Sequence, residues 1–290
     1  MSRKNIFEIL DKEIDFGEEA RRIYALFSEK ETQVTCRDNQ VHTLSLEEFI
    51  NEEYFSTWRH RGRCISVEEF KRKIGINFNH SNLLNDCTMA LFLNYCEYVS
   101  NMLLLFGNEE TENYNAHKFG IMNIGITGGL IIANIDSCLN ELNMKRSIDN
   151  DNLICRIVEI NPSATMAADN LEKEAATKVF EYNHYLLKGD LAKKREILIY
   201  LSGLVEPLSK QLNANGYGSI DKYTRFLLNN MNIRHNNLEG KEKNPFLDSL
   251  GEDELEKIYD KTYELILLCV NLSSYIDDKQ FLDGLKQSKI

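Results

Sequence analysis

Apolar residues recur every three or four positions through the last two-thirds of the chain, which is the spacing of amphipathic helices. The clearest stripe lies on the segment from about Glu252 to Tyr275. Its members are Leu255, Ile258, Tyr259, Leu265, Ile266 and Cys269. Further helices are expected at about 83–106, 128–142, 162–185, 191–212 and 220–233. The pattern predicts a mainly α fold whose core is an up-and-down helical bundle.

Residues 1–80 follow a more mixed pattern. A helical stretch at 16–28 precedes two short runs rich in β-branched residues, 32–37 and 40–44, with a polar turn between them. Such runs are typical of a β-hairpin. We therefore expect a small N-terminal helix and hairpin unit over residues 1–80 and the helical bundle over 81–290.

The most apolar stretch, residues 83–106, raises the question of a membrane span. It is interrupted by polar residues, namely Asn85, Asp86, Asn94, Glu97, Ser100 and Asn101. A spanning helix needs about 20 residues with few or no polar ones. The stretch is therefore predicted to be a buried core helix, and no membrane partner is expected.

Charge and cysteine content bear on the class of binding partner and on the cellular location. The chain has 34 basic and 45 acidic residues, a net charge of -11, which argues against the broad basic surface of a non-specific duplex-DNA binder. Its seven cysteines are an odd number without CxxC spacing, which favours reduced thiols over a disulfide framework. Together with the absence of a secretory-type apolar run near Met1, this predicts a cytoplasmic location.

The segment whose side chains are best suited to catalysis is Arg234-His235-Asn236-Asn237. One interpretation is structural, because Arg and His favour the negative end of a helix dipole and Asn commonly terminates a helix. The other is catalytic, because Arg can hold a phosphate bidentately while His moves a proton near neutral pH. The residues alone leave both interpretations open.

This tail resembles that of HEPN-domain proteins: a helix that ends in Arg and a polar residue, then a polar loop, then a long amphipathic helix. Members of that family are helical bundles, usually dimeric, that are common in bacterial toxin–antitoxin, abortive-infection and CRISPR-associated systems. Many are metal-independent ribonucleases whose motif is an Arg, a polar residue and a His four to six positions after the Arg. The resemblance covers roughly residues 81–280.

The resemblance implies an RNA-cleaving homodimer of a bacterial defence or toxin-type system, with a possible partner or antitoxin protein and with neither metal nor cofactor. Arg234 would hold the scissile phosphate, His235 would act as general acid or base, and Asn236 or Asn237 would position the 2′-hydroxyl. The motif departs from the family, since Leu238, Glu239 and Gly240 occupy the positions of the later His. The rival hypothesis is therefore a non-catalytic interaction or sensor protein that keeps the bundle.

Two further segments are candidates for supporting roles. Glu181 and His184 would share a helix face, where the glutamate could orient the imidazole; the alternative is a half-buried packing histidine. The other histidines are scattered without metal-ligand spacing, so no metal site is predicted. A glycine-rich joint near Gly125–Gly129 lacks the Walker pattern and is predicted to be a connector or helix start.

The second segment is basic and adjoins the only tryptophan. Trp58, Arg59, Arg61 and Arg63 could contact RNA phosphates and stack on a base. The alternative is a solvated surface that pairs with acidic residues elsewhere in the chain.

Overall fold

The computed structural model describes residues 14–36, 40–76, 87–112 and 121–288. These are 71% helical, with ten α-helices and two small two-stranded sheets, which confirms the predicted mainly α fold. The chain divides into two compact units, unit 1 (residues 1–157) and unit 2 (residues 158–290). The boundary expected between residues 80 and 81 falls outside the described residues.

Unit 1 combines helices with a hairpin. Its helices are α1 (Phe16–Tyr24), α2 (Leu46–Glu53), α3 (Val67–Lys73), α4 (Met89–Glu112) and α5 (Ile121–Glu141). Strands β1 (Thr32–Thr35) and β2 (Val41–Leu44) pair antiparallel, with Thr32 opposite Leu44. This confirms the predicted strands, while the turn between them lies outside the described residues. Strands β3 (Met144–Asp149) and β4 (Ile154–Glu159) form the other sheet.

Local signals in the sequence explain where these helices begin. Asp15 caps α1 by accepting from the amide of Glu18, and Ser45 opens α2 in a complete capping box with Glu48. Such caps satisfy amides that have no partner inside the helix. The core beneath them is aromatic: Phe27, Phe49 and Phe92 are fully buried or nearly so.

Helix α5 differs from the prediction at its beginning. It starts at Ile121, so Gly125, Gly128 and Gly129 lie within the helix and not in a connector before it. The helix still forms because each glycine lowers helix stability by only about 1 kcal/mol relative to alanine. At Gly128 the missing side chain has a use, since a Cβ atom would lie 3.3 Å from Cδ2 of Leu103 on α4.

Unit 2 is a helical bundle. Its helices are α6 (Pro162–Asp169), α7 (Lys173–Tyr182), α8 (Leu191–Ala214), α9 (Gly218–Asn230) and α10 (Glu252–Ser288). Short 3-10 segments lie at Tyr185–Leu187, Gly240–Glu242 and Pro245–Ser249. The bundle buries an apolar core to which α6, α8 and α10 contribute, including Ala167, Leu201 and Ile266.

Two element predictions in unit 2 were wrong in detail. The long helix expected over 162–185 is two helices, because the chain turns at Asn170, which caps α6 in a non-helical conformation. Helix α9 ends at Asn230 and not at Ile233, so Arg234 lies in the loop beyond the helix. Helix α10 begins where expected and continues to Ser288.

Candidate functional site

The loop from Met231 to Asn244 carries the Arg-His-Asn-Asn segment and begins with a sharp change of direction. Asn232 adopts φ +55°, a left-handed conformation that asparagine tolerates better than most residues. Its carbonyl accepts hydrogen bonds from Nε of Arg195 on α8 and from the hydroxyl of Tyr259 on α10. The amide of Arg234 donates to the carbonyl of Leu228, 2.9 Å away. The turn is therefore fastened to all three helices around it.

The guanidinium of Arg234 is engaged with α8. Its Nε donates to Oγ of Ser202 over 3.0 Å, and its Nη2 donates to the carbonyl of the same residue over 2.8 Å. Its Nη1 lies 2.9 Å from a carboxylate oxygen of Glu206, and the arginine side chain is 19% exposed. A bidentate phosphate contact would need two of these same nitrogens. The arginine is therefore arranged as a link between the loop and α8.

His235 and Asn236 lie at the surface of the loop. Nδ1 of His235 is 3.1 Å from a carboxylate oxygen of Glu242, and the histidine side chain is 46% exposed. The side-chain oxygen of Asn236 accepts from the amide of Leu238 over 3.2 Å. Of the expected catalytic residues, His235 is thus the one with a carboxylate partner and an open position, which are the requirements for a surface proton-transfer group.

Asn237 has a structural role. It is 4% exposed, and its side-chain oxygen accepts from the amide of Asn232 while its side-chain nitrogen donates to the carbonyl of Glu242. Its backbone carbonyl accepts from the amide of Asn244. These bonds satisfy a buried amide side chain and close the loop on itself. We call Arg234, Asn237 and their partners the loop clamp.

The supporting pair, Glu181 and His184, does not share a helix face. Helix α7 ends at Tyr182, and His184 adopts an extended conformation beyond it, where its Nδ1 accepts from the amide of Leu186. Glu181 instead forms an ion pair with Lys178 at 2.7 Å. The prediction that the two residues share one helix face was therefore wrong, because the helix ends between them.

His184 lines a cavity of about 530 Å³ that lies entirely within unit 2. Its wall is built by Glu159 at the end of β4 and Asn161 after it, by the end of α7 and the segment that follows, by α8 and by the first four turns of α10. Among the residues that line it are Glu159, Tyr182, Lys194, Asp253, Asp260 and Tyr263. The volume is in the usual range for small-molecule sites, which are concave and carry a few convergent polar groups. We call it the unit 2 cavity.

Lys194 is the most deeply buried of the charged residues in the wall of this cavity. It is 6% exposed, and its Nζ lies 2.7 Å from a carboxylate oxygen of Glu256 and 2.6 Å from one of Asp260. It also lies 5.3 Å from the ring centroid of Tyr182. A buried ammonium is tolerated only when it is paired and hydrogen bonded in this way.

Hydrogen bonds extend this arrangement around the cavity wall. The hydroxyl of Tyr182 donates to Asp260 over 3.0 Å, and its ring stacks on Tyr263 with centroids 4.1 Å apart. The hydroxyl of Tyr263 accepts from Asn183 and donates to the carbonyl of Val179. Because each of these groups is held by the next, the wall keeps its shape without a ligand.

The charge states in the wall follow from these contacts. Burial acts to raise the pKa of Glu256, but the amide of Gly189 and the Lys194 ammonium outweigh it, so the pKa lies below its ordinary value of 4.5. Burial, followed by the charge of Asp260, raises the pKa of Tyr182 far above its usual range. At neutral pH the wall therefore contains a carboxylate at Glu256 and a neutral phenol at Tyr182.

The side chains of the basic segment of unit 1 differ in exposure, since some lie at the surface and others in the core. Arg59 and Arg63 are exposed, while Arg61 donates to the carbonyls of Ser56 and Cys64. Trp58 is 5% exposed and packs with its ring centroid 5.1 Å from that of Phe70. Its faces are covered, so this conformation offers no stacking surface for a base.

Three general properties of the described residues bear on function. Among them, no group of three or more His, Cys, Asp or Glu is placed to hold a metal ion. In the same part of the chain, one helical stretch, Met89–Gly107, is long and apolar enough to cross a membrane, and 61% of it is buried. In the part of the chain that the structure describes, none of the seven cysteines forms a disulfide, and burial is the main reason that the pKa of Cys138 and Cys155 rises to about 11.

Sequence reasoning drew attention to His184 but missed Lys194. Its partners Glu256 and Asp260 are distant in sequence, Asp260 by 66 residues, and Lys194 stands beside Lys193 and Arg195 in a run that is typical of a solvated helix face. One signal was available: helical spacing places Lys194 in the apolar stripe with Ile197, Leu198 and Leu201.

Neither a protein-family model, nor a curated protein, nor a solved structure matches this chain. The resemblance to HEPN-domain proteins therefore stays a prediction.

Proposed function

We propose that the chain is a non-catalytic helical binding or sensor protein and that its unit 2 cavity receives a small polar ligand. The observation that carries this proposal is the buried ammonium of Lys194, held by Glu256 and Asp260 in the cavity wall. Two carboxylates, a phenol and an ammonium converge on one concave space, which is the usual composition of a site that orients a ligand through polar contacts.

The state of the wall also supports binding. Its side chains are already fixed by hydrogen bonds and stacking, so a ligand would not have to order them. Side chains fixed in advance reduce the entropy that binding costs. The wall therefore favours a site that is formed before the ligand arrives.

The loop clamp argues against the ribonuclease hypothesis as the leading one. The nitrogens of Arg234 that a scissile phosphate requires are bonded to Ser202 and Glu206. Asn237 is buried and uses its amide within the loop. Two of the expected catalytic residues thus have structural partners in place of an open position toward a substrate.

The experiment is a thermal-shift panel on the full chain, with polyamines, amino acids, sugars and nucleotides as probes. We expect at least one probe to stabilise the protein, since a ligand at 100 times its Kd adds about 2.7 kcal/mol to the stability of the folded state. His184→Trp should abolish the shift by filling the cavity. Leu186→Trp, an exposed position two residues away and outside the lining, should keep it.

The proposal is overturned if every probe leaves the melting temperature of the wild-type protein unchanged. It is also overturned if His184→Trp and Leu186→Trp respond alike, because the ligand would then bind elsewhere. Circular dichroism of both variants establishes that they are folded.

A second candidate function, metal-independent cleavage of RNA in a bacterial defence or toxin-type system, rests on the exposed pair of His235 and Glu242. A carboxylate that orients an imidazole is a common arrangement for proton transfer. The ion pair of Arg234 with the exposed Glu206 is of a kind that contributes only about 1 kcal/mol or less, so its Nη1 can exchange that partner for a phosphate.

This second candidate is tested by incubating mixed RNA with the protein in EDTA. Cleavage by the wild-type protein that is lost in His235→Ala and kept in Glu239→Ala, the neighbouring control, would establish it. No cleavage by the wild-type protein is the result expected from the binding proposal.

A further inference from the structure

The charges that line the unit 2 cavity are unequal. Five carboxylates, from Glu159, Asp253, Glu256, Asp260 and Glu264, face three ammonium groups, from Lys188, Lys194 and Lys257. Two of the carboxylates are already shared with Lys194. The lining therefore has an excess of two negative charges, and that excess repels anions and attracts cations within the cavity.

The aromatic side chains of the wall favour the same sign of charge. Tyr182 and Tyr263 form a stacked pair beside the cavity, and the negative face of a tyrosine ring attracts ammonium and guanidinium groups. Lys194 demonstrates this within the protein itself, since its ammonium lies over the Tyr182 ring. The wall thus already accommodates one ammonium.

The beginning of α10 could have favoured an anion, because the amides at a helix N-terminus carry partial positive charge. Here the first turn contains Glu252, Asp253 and Glu254. These carboxylates offset the positive end of the helix dipole. Of the three, Asp253 lies in the cavity lining, so an anionic ligand would have to approach its carboxylate at close range, at an electrostatic cost.

We infer that the ligand of the unit 2 cavity is an organic cation with more than one amino or guanidino group, of which a polyamine is the simplest representative. This inference rests on the proposed binding function and specifies its ligand. The carboxylates of Asp253 and Glu159, which are exposed members of the lining, take up the ammonium groups.

The test is calorimetric titration of the full chain with spermidine as the cation, adenosine monophosphate as the anion and glucose as the neutral probe. Spermidine should bind at one site, more weakly as sodium chloride is raised, since salt screens the attraction. Asp253→Asn should weaken spermidine about fivefold, as expected for one ion pair of about 1 kcal/mol. Glu252→Gln, which removes the neighbouring charge outside the lining, should leave the affinity unchanged.

The outcomes separate this inference from the binding proposal. If adenosine monophosphate or glucose binds and loses its affinity in His184→Trp while spermidine does not bind, the cavity is a site but the cationic assignment is wrong. Equal weakening of spermidine by Asp253→Asn and Glu252→Gln also overturns the assignment, because the amine would then respond only to the charge of the whole protein. If none of the three probes binds, the cationic assignment falls; a further lack of response across the thermal panel overturns the binding proposal too.

Discussion

Lys194 shows at the scale of one residue how burial and charge are reconciled. Its ammonium is removed from water but has two carboxylates within 2.7 Å. Removing one partner of a buried pair costs far more than the pair itself contributes, because the remaining charges are left without compensation. The two carboxylates of the cavity wall therefore depend on this lysine.

Lys194→Met is expected to lower the free energy of unfolding by about 2 to 3 kcal/mol. That is less than the 3 to 5 kcal/mol of a fully buried pair, because Asp260 is half-exposed and recovers part of its hydration. Urea denaturation of the full chain measures the difference.

Lys193→Met is the matched control for this prediction. Its ammonium pairs with Glu196 at the surface, and such a pair contributes about 0 to 1 kcal/mol. Equal losses in the two variants would contradict the structural role assigned to Lys194.

The residue scale also shows what the sequence could not predict. Arg234-His235-Asn236-Asn237 was identified as unusual from its composition, and the structure gives it an unusual geometry, with Asn232 in a left-handed conformation. The partners that determine its role, Ser202 and Glu206, lie about 30 residues earlier on another helix. Local composition identifies such a segment but does not identify which groups it contacts.

At the scale of elements, the loop clamp joins the loop after α9 to α8. Arg234→Ala should lower the free energy of unfolding by about 1 to 3 kcal/mol, since it leaves the Ser202 carbonyl without its charged donor. His235→Ala, at an exposed neighbouring position, should stay within about 0.5 kcal/mol. Thermal or urea unfolding distinguishes them.

An Arg234→Ala variant that is as stable as the wild-type protein would contradict the structural role of the loop clamp. It would also restore the catalytic hypothesis, because active-site residues are often held at the expense of stability and their removal is then tolerated or stabilising.

Helix α5 gives a second prediction at this scale. Gly129→Ala should stabilise the protein by about 0.5 to 1 kcal/mol, because alanine restricts the unfolded chain and this position has no heavy atom within 4 Å of the new Cβ.

Gly128→Ala should give less stability than Gly129→Ala, since its Cβ would press on Leu103 at 3.3 Å. Differential scanning calorimetry of the two single variants provides the comparison. A larger gain at Gly128 would mean that the two helices do not approach as closely there.

How well each helix could be predicted depends on the sequence signals near its ends. Helix α10 was expected to begin near Glu252 and does so, because a long apolar stripe follows a polar loop. The break between α6 and α7 was missed because Ala167, Ala168 and Leu171 continue the apolar pattern across it. The glycines of α5 were interpreted as a connector or a helix start because local propensity disfavours them inside a helix, and packing against α4 outweighs that propensity.

At the scale of the whole molecule, the spacing of apolar residues correctly predicted a mainly α chain. The division of the chain at Ile157 follows contacts between distant segments, which periodicity does not report. Unit 2 contains both candidate sites, the loop with the exposed His235 and the charged cavity. The central claim is that the cavity and not the loop binds the ligand.

The most direct test of this claim is hydrogen–deuterium exchange of the full chain, measured alone, with spermidine and with a mixed RNA pool. We predict that spermidine slows exchange in peptides that cover residues 182–194 and 253–264 and leaves residues 231–244 unchanged, while RNA protects neither. Protection of residues 231–244 by RNA, with the cavity peptides unaffected by spermidine, would contradict the account and place function at the loop.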